Sequence, residues 1–509
     1  MTEFLTRVGD RINPIVVKET RQAVNSRLVA WFLLLFLTVQ LVVMLLMITT
    51  REVADSDNIN LRIGRDMFMF VQGILLGACM ILIPTMTGAR LAAERSDINV
   101  DLLFISSLTP RAVLAGKLFA AGALALLIFS ACAPFMTFAY VMRGLDVPTI
   151  FVVLTADYLT VLLGTTFALF LASVPANRGL RILLGLGGFI PMCYLGAGLL
   201  VLTTEFLQGR SFFDMSSREF WAGCAGLVLL LFGTIGLLFV WAVALISPPA
   251  ANRAFIVRVY TLGLWLVEGL GFAIWSLYIS RPEPMAIWGV MGCAFFSLQI
   301  VIASCERDEW GARVARRIPR RAVLRAPAFF LYSGAAGGLA FGVIGAGLTA
   351  LVLAGWYLVV PPPYAGMGAP ERETAPLLTA VLIAAYAYCY SLTAIVLRRA
   401  VSGSGFRSGY TWIITALLFG IGCTLPYIAR FAFFERTYYY TDDYIALYLT
   451  NPVVMIGDAV SSSSSGGHVA LTGFFLVAWA GVVTLANVTW LAKQVMNFRP
   501  PEAEYEADE

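Results

Sequence analysis

Residues 28–49 read LVAWFLLLFLTVQLVVMLLMIT, twenty-two positions without a charge. At 1.5 Å per residue such a helix rises about 33 Å, enough to cross the roughly 30 Å hydrocarbon layer of a bilayer. Outward from this stretch, eleven more of the same kind follow. They cover approximately 67–87, 118–140, 150–174, 180–202, 222–246, 260–279, 286–304, 329–359, 376–397, 410–428 and 469–492. Composition agrees with the count. The 509 residues are 59% hydrophobic and 13% charged, where soluble domains carry about 25% charged residues. Mean hydropathy is +0.82. A soluble enzyme is excluded, and the expected fold is an all-α polytopic membrane protein of about twelve transmembrane helices in two six-helix halves.

Orientation follows from Lys and Arg, which concentrate in cytoplasmic loops. With the N-terminus inside, the inward segments and their edges hold 25 of the 35, so both termini are expected in the cytoplasm. A multi-pass protein of the plasma (inner) membrane is the corresponding localisation. The first span is too long for a cleavable signal and lacks a small-residue cleavage site. The formal charge of +4 is thus a topology signal and gives no reason to propose nucleic acid as a partner. Eight Cys lie in spans or at their edges with no CxxC pair, which reads as buried, reduced, small-hydrophobe Cys.

Ser247-Pro248-Pro249 breaks the chain between the halves. The expected organisation is an amphipathic cytoplasmic entry helix in 1–27, a first membrane half in 28–247 with an inward loop at 88–117, a second half in 248–492, and an acidic tail in 493–509. Each half has its longest inward loop between its second and third spans, and its longest outward loop before its last. Glu94-Arg95 and Arg111-Ala-Val-Leu114 are echoed by Glu306-Arg307 and Arg321-Ala-Val-Leu324, a weak repeat that hints at duplication.

Before the first span, Asn13 suits an N-cap and Pro14 the first helical position. Val16, Thr20, Ala23 and Val24 share one face, away from Lys18, Glu19 and Arg21, as in a helix lying on the inner membrane surface. In the loop at 88–117, Asp97 can cap a short helix, and Thr109 with Pro110 starts another that runs into the third span. Leu102, Leu103 and Phe104 form an apolar knob between charged flanks, suited to docking on a partner protein.

Asn13-Pro14, Lys18-Glu19 and Arg21, together with Glu94-Arg95, Leu102-Leu103, Thr109-Pro110 and Gly116-Lys117, resemble the permease of a type-2 ABC transporter. The resemblance covers roughly the first half of the chain by motif and the second by span pattern alone. Ser247-Pro248-Pro249 through Asn252-Arg253 stands where a second entry motif would lie. The resemblance implies that the segment from Glu94 to Pro110 seats on a separate ATP-hydrolysing subunit, which would carry the ATP and Mg. It also implies export, and it admits a second permease chain, identical or related. No GxxxxGK[ST] phosphate loop occurs in the sequence, so ATP hydrolysis is expected on the separate subunit. With His468 the only histidine and no nucleophile placed to use it, the chain is expected to catalyse nothing itself, bind no cofactor and hold no metal.

Other features have weaker readings. The stretch from Glu306 to Arg325 carries seven Arg, with Trp310, Val314 and Ile318 at helical spacing, as for binding anionic headgroups. Glu268 and Asp157 are ionisable residues inside spans and so are functional candidates. An ion-coupled secondary transporter would use them as titrating groups. Pro134, Pro191 and Pro426 are expected to kink their spans, and Gly334, Gly337, Gly338 and Gly342 to allow close helix packing. Aromatics from Phe431 to Tyr444 suit an interfacial belt. Asp55-Ser56-Asp57 is the one feature favouring a membrane-embedded glycosyltransferase. His468 lies in a Gly-Ser loop with no nucleophile to serve and reads as a solvated loop residue. Spans without a dense charged lining favour lipidic or amphiphilic cargo over a small ion.

Overall fold

A computed structural model of the chain describes residues 14–52, 63–94, 109–142, 145–208, 215–248, 251–361, 370–401, 408–433, 442–460 and 466–500. Every regular element among them is helical, and twelve helices are long and apolar enough to cross a membrane. This is an all-α, multi-pass membrane protein. The chain divides into two compact units, Met1–Pro248 and Pro249–Glu509.

The first unit contains α1 (Pro14–Val24), α2 (Arg27–Glu52), α3 (Ile63–Glu94), α4 (Pro110–Val141), α5 (Val147–Ser173), α6 (Arg178–Leu207) and α7 (Arg218–Ile246). Its core lies among α3, α4 and α5, where Phe68, Leu75, Ile83, Ile128 and Val161 are fully enclosed. In contrast, α2 and α6 present Leu34, Leu41, Leu45, Leu186 and Tyr194 outward. Water would reject such surfaces, whereas lipid solvates them without penalty.

The second unit contains α8 (Arg253–Ile279), α9 (Glu283–Ala303), α10 (Ala312–Ala315), α11 (Ala322–Leu331), α12 (Ala335–Val359), α13 (Pro370–Val401), α14 (Thr411–Phe433), α15 (Pro452–Val460) and α16 (Gly466–Asn497). Here α9, α12 and α13 are central. Each unit repeats one packing order. Its second span packs against its third and fourth, and its fourth against its fifth and sixth.

Several sequence expectations change. The ninth span starts at Ala335 rather than 329, because the chain turns at Tyr332 to Gly334 and leaves α11 as a separate helix. The stretch from Trp310 to Ile318 holds only the four-residue α10. Val314 and Ile318 are buried, and Trp310 stacks edge-on with Phe498 at 5.2 Å, so this apolar face packs inside the unit instead of on lipid. Nor is the segment before the last span all loop, since α15 folds back on α13. Tyr386 Oη donates to the Leu449 carbonyl at 2.7 Å, and Asn451 Oδ1 caps α15 by accepting from Val453 and Val454. Cys193 is exposed on α6, against the expectation of burial; Cys79, Cys132, Cys293 and Cys389 are buried, and all eight are unbridged.

Glycines at the start of α12 permit its approach to α9. A Cβ at Gly338 would sit 2.5 Å from that of Ala303 and would strike the Arg258 guanidinium, whereas one at Gly347 meets nothing within 4 Å. Gly338→Leu should therefore destabilise the protein by about 1–3 kcal/mol through overpacking. Gly347→Leu, on the open face of the same helix, should be neutral or slightly stabilising. Thermal unfolding in detergent checks the pair.

Candidate functional site

The site predicted around the 88–117 loop is described at its two roots. Arg95, Asp97, Leu102, Leu103 and Phe104 lie outside the described residues, as do Asn13 and the Asp55–Asp57 pair. The start of α4 is built as its sequence suggests: Pro110 occupies the first turn, and Thr109 Oγ1 accepts from the Ala112 amide at 3.3 Å. Seven residues on, Lys117 is 2% exposed. Its ammonium donates to Glu19 Oε1 at 2.8 Å and to Glu94 Oε1 at 2.9 Å. One buried cation thus joins the entry helix α1, the end of α3 and the start of α4.

This places Glu19 differently from its sequence reading. Ile15, Glu19 and Ala23, spaced four apart, share the face of α1 that meets α4. Val17 and Val24 instead point outward. The helix is docked on protein through a charge, and Val17 and Val24 remain on its exposed side. Lys18 and Arg21 are exposed. Gly116 makes the docking close, because a Cβ there would lie 2.6 Å from Ile15 Cγ2. Beside the clamp runs a small cleft lined by Glu19, Met86, Thr87, Arg90, Lys117 and Leu124. Arg181 on α6 secures α3 further, donating to the Ala92 carbonyl at 2.8 Å in its last turn, where a cation suits the helix dipole.

The second unit has a comparable root. Arg258 on α8, 1% exposed, donates to Glu306 Oε1 at 2.6 Å, to the Phe330 carbonyl at 3.1 Å, and to the carbonyl of Tyr332. Burial pushes the Glu306 carboxyl up from its ordinary value, opposed by the Arg258 charge and the Gly334 amide. Arg398 at the end of α13 makes a two-pronged pair with Asp308 at 2.9 and 3.0 Å. Asn252, in the place of a second entry motif, accepts from the Ser333 amide and hydroxyl instead.

Inside the spans, Asp157 on α5 is fully buried and accepts from Gln72 Nε2 of α3 at 3.1 Å. Gln72 also donates to Thr203 Oγ1 of α6 at 3.2 Å. Glu268 on α8 is 1% exposed, with Oε1 unpartnered. The sequence reading missed Gln72, Thr203 and Gln40, whose Nε2 donates to the Val71 carbonyl at 2.9 Å, because it weighed ionisable residues alone. The visible signal was an amide within an apolar run, as in Phe70-Val71-Gln72-Gly73. His468 is half-buried 3.7 Å from Asp458, so it is no solvated loop residue. No group of three or more His, Cys, Asp or Glu among the described residues is arranged to hold a metal. No protein family, curated protein or solved structure matches the chain.

Removing one member of a buried pair strands the other charge. Lys117→Met should therefore cost about 3–5 kcal/mol. Glu94→Gln should cost less than about 1 kcal/mol, because the Glu94 side chain is 46% exposed. The double change Glu19→Leu with Lys117→Met should recover most of the loss, since no charge is then stranded. Unfolding midpoints of the four proteins in one detergent check this.

Proposed function

We propose that the chain is the membrane-spanning permease subunit of an ATP-driven ABC exporter, acting with a separate ATPase subunit that carries ATP and Mg. The observation that carries this reading is the Glu19–Lys117–Glu94 clamp. Whatever moves the segment between Glu94 and Thr109 pulls on α1, α3 and α4 together, because all three meet at one buried ammonium. A push from an ATPase seated on that segment would thereby reach the first three spans as a unit. In this reading Leu102, Leu103 and Phe104 are the docking knob, Lys18 and Arg21 face the inner headgroups, and the chain catalyses nothing. The plasma (inner) membrane is its location. Cargo is lipidic or amphiphilic, in keeping with spans whose buried charges are few. Asp157, buried without a cation beside it, favours a second reading as an ion-coupled secondary transporter.

Purification of the tagged protein in mild detergent tests the first reading. A P-loop ATPase should accompany the native chain and hydrolyse ATP in the complex, and should be lost when Leu102 and Leu103 are both changed to Asp in a chain that still elutes as a folded species. Failure to recover an ATPase even after cross-linking in membranes overturns it. Transport that survives ATP depletion but stops with an uncoupler would establish the second reading instead.

A further inference from the structure

The polar cluster within the first unit has a donor count that does not balance. Gln72 gives one amide hydrogen to Asp157 Oδ1 and the other to Thr203 Oγ1. Thr203 gives its hydroxyl hydrogen to the Leu199 carbonyl at 2.9 Å. Two acceptors on the joined pair are left over, Asp157 Oδ2 and Gln72 Oε1, both buried without a partner. They belong to the two side chains already linked by one hydrogen bond. A carboxyl and a primary amide so linked close into a ring when one proton stands on the free carboxyl oxygen and is donated to the amide oxygen. One proton therefore satisfies both orphans.

Charge leads to the same place. An ionised carboxylate with no exposure, in an interior surrounded by lipid, costs several kcal/mol unless a cation offsets it. The titratable groups that face Asp157 are the thiols of Cys79 on α3 and Cys132 on α4, which bring no positive charge. No Lys, Arg or His is paired with it among the described residues. Asp157 lies ten residues into α5, about 15 Å along the helix, so snorkelling to water is out of its reach.

We infer that Gln72 and Asp157 form a proton-binding site inside the first unit, in which a single proton on Asp157 Oδ2 is shared with Gln72 Oε1 and ties α3 to α5. The ligand is the proton itself, taken up from water by the carboxylate and returned to water when the pair opens. The site stands apart from the clamp at Lys117 and does not depend on the exporter reading.

Infrared difference spectra in bilayers at neutral pH test it, with Glu268→Gln in every sample to remove the other buried acid that has no cation paired with it among the described residues. The expected result is a protonated-carboxyl carbonyl band that is lost in Asp157→Asn, shifts on exchange into D2O, and moves to higher frequency in Gln72→Leu. Absence of any such loss in Asp157→Asn overturns the inference. Stability supplies a second reading, because Asn is the neutral isostere that can pair with Gln72 in the same ring. Asp157→Asn should keep the native unfolding midpoint and Asp157→Ala should lower it. A midpoint of Asp157→Asn as low as that of Asp157→Ala, or a native midpoint that falls when sodium is replaced by choline, means that a carboxylate bound to a metal cation occupies the site, and also overturns it.

Discussion

A charge taken out of water must meet its opposite, and this constraint shapes the end of the second span in each unit. Lys117, Arg258 and Arg398 are the buried cations among the described residues. Each is met by an acid at the exit of the second span of its own unit: Glu94 in the first, Glu306 and Asp308 in the second. The desolvation cost of each cation is offset only in one geometry, so the helices that carry the partners have little freedom to shift independently. Apolar packing brings the spans together, and these pairs fix where the chain leaves them.

The same constraint gives the repeat its meaning. Glu94-Arg95 and Glu306-Arg307 look like a coincidence of four letters until both acids are seen holding a buried cation. The units then diverge around that shared device. In the first, the cation sits on the third span and also recruits Glu19 of the entry helix. In the second, Arg258 sits on the unit's first span and is held by the Phe330 carbonyl in the last turn of α11 and the Tyr332 carbonyl just after it, with Gly338 making room for its guanidinium. The two units thus share a packing order and a buried cation at the end of the second span, and differ in which helices the cation ties together.

Span count and fold class were legible because runs such as 28–49 admit one physical reading. The cap at Thr109 and Pro110 was legible for the same reason, being a local rule. Long-range pairing was not. Glu19 read as a residue of the polar face because helical periodicity sorts residues by polarity, whereas its burial depends on a Lys 98 positions away. Trp310, Val314 and Ile318 had the spacing of a lipid-facing stripe, and nothing local announces that Phe498 occupies it. Gln72 stood out as an amide in an apolar run but carries no charge, so a reading that weighed ionisable residues alone passed over it, although beside Asp157 it decides how a buried acid is satisfied. Residues with partners distant in sequence are the ones that composition and periodicity cannot place.

The central claim is that the Lys117 ammonium holds the entry helix to the root of the third span. Amide hydrogen exchange of α1 in the native protein and in Lys117→Met, both in bilayers, measures it most directly. The account predicts that residues 15–24 lose protection in the variant while the buried turns of α3 around Leu75 to Ile83 keep theirs. Unchanged protection of α1 in a folded Lys117→Met protein would contradict it, and would mean that apolar contact at Gly116 alone docks the helix.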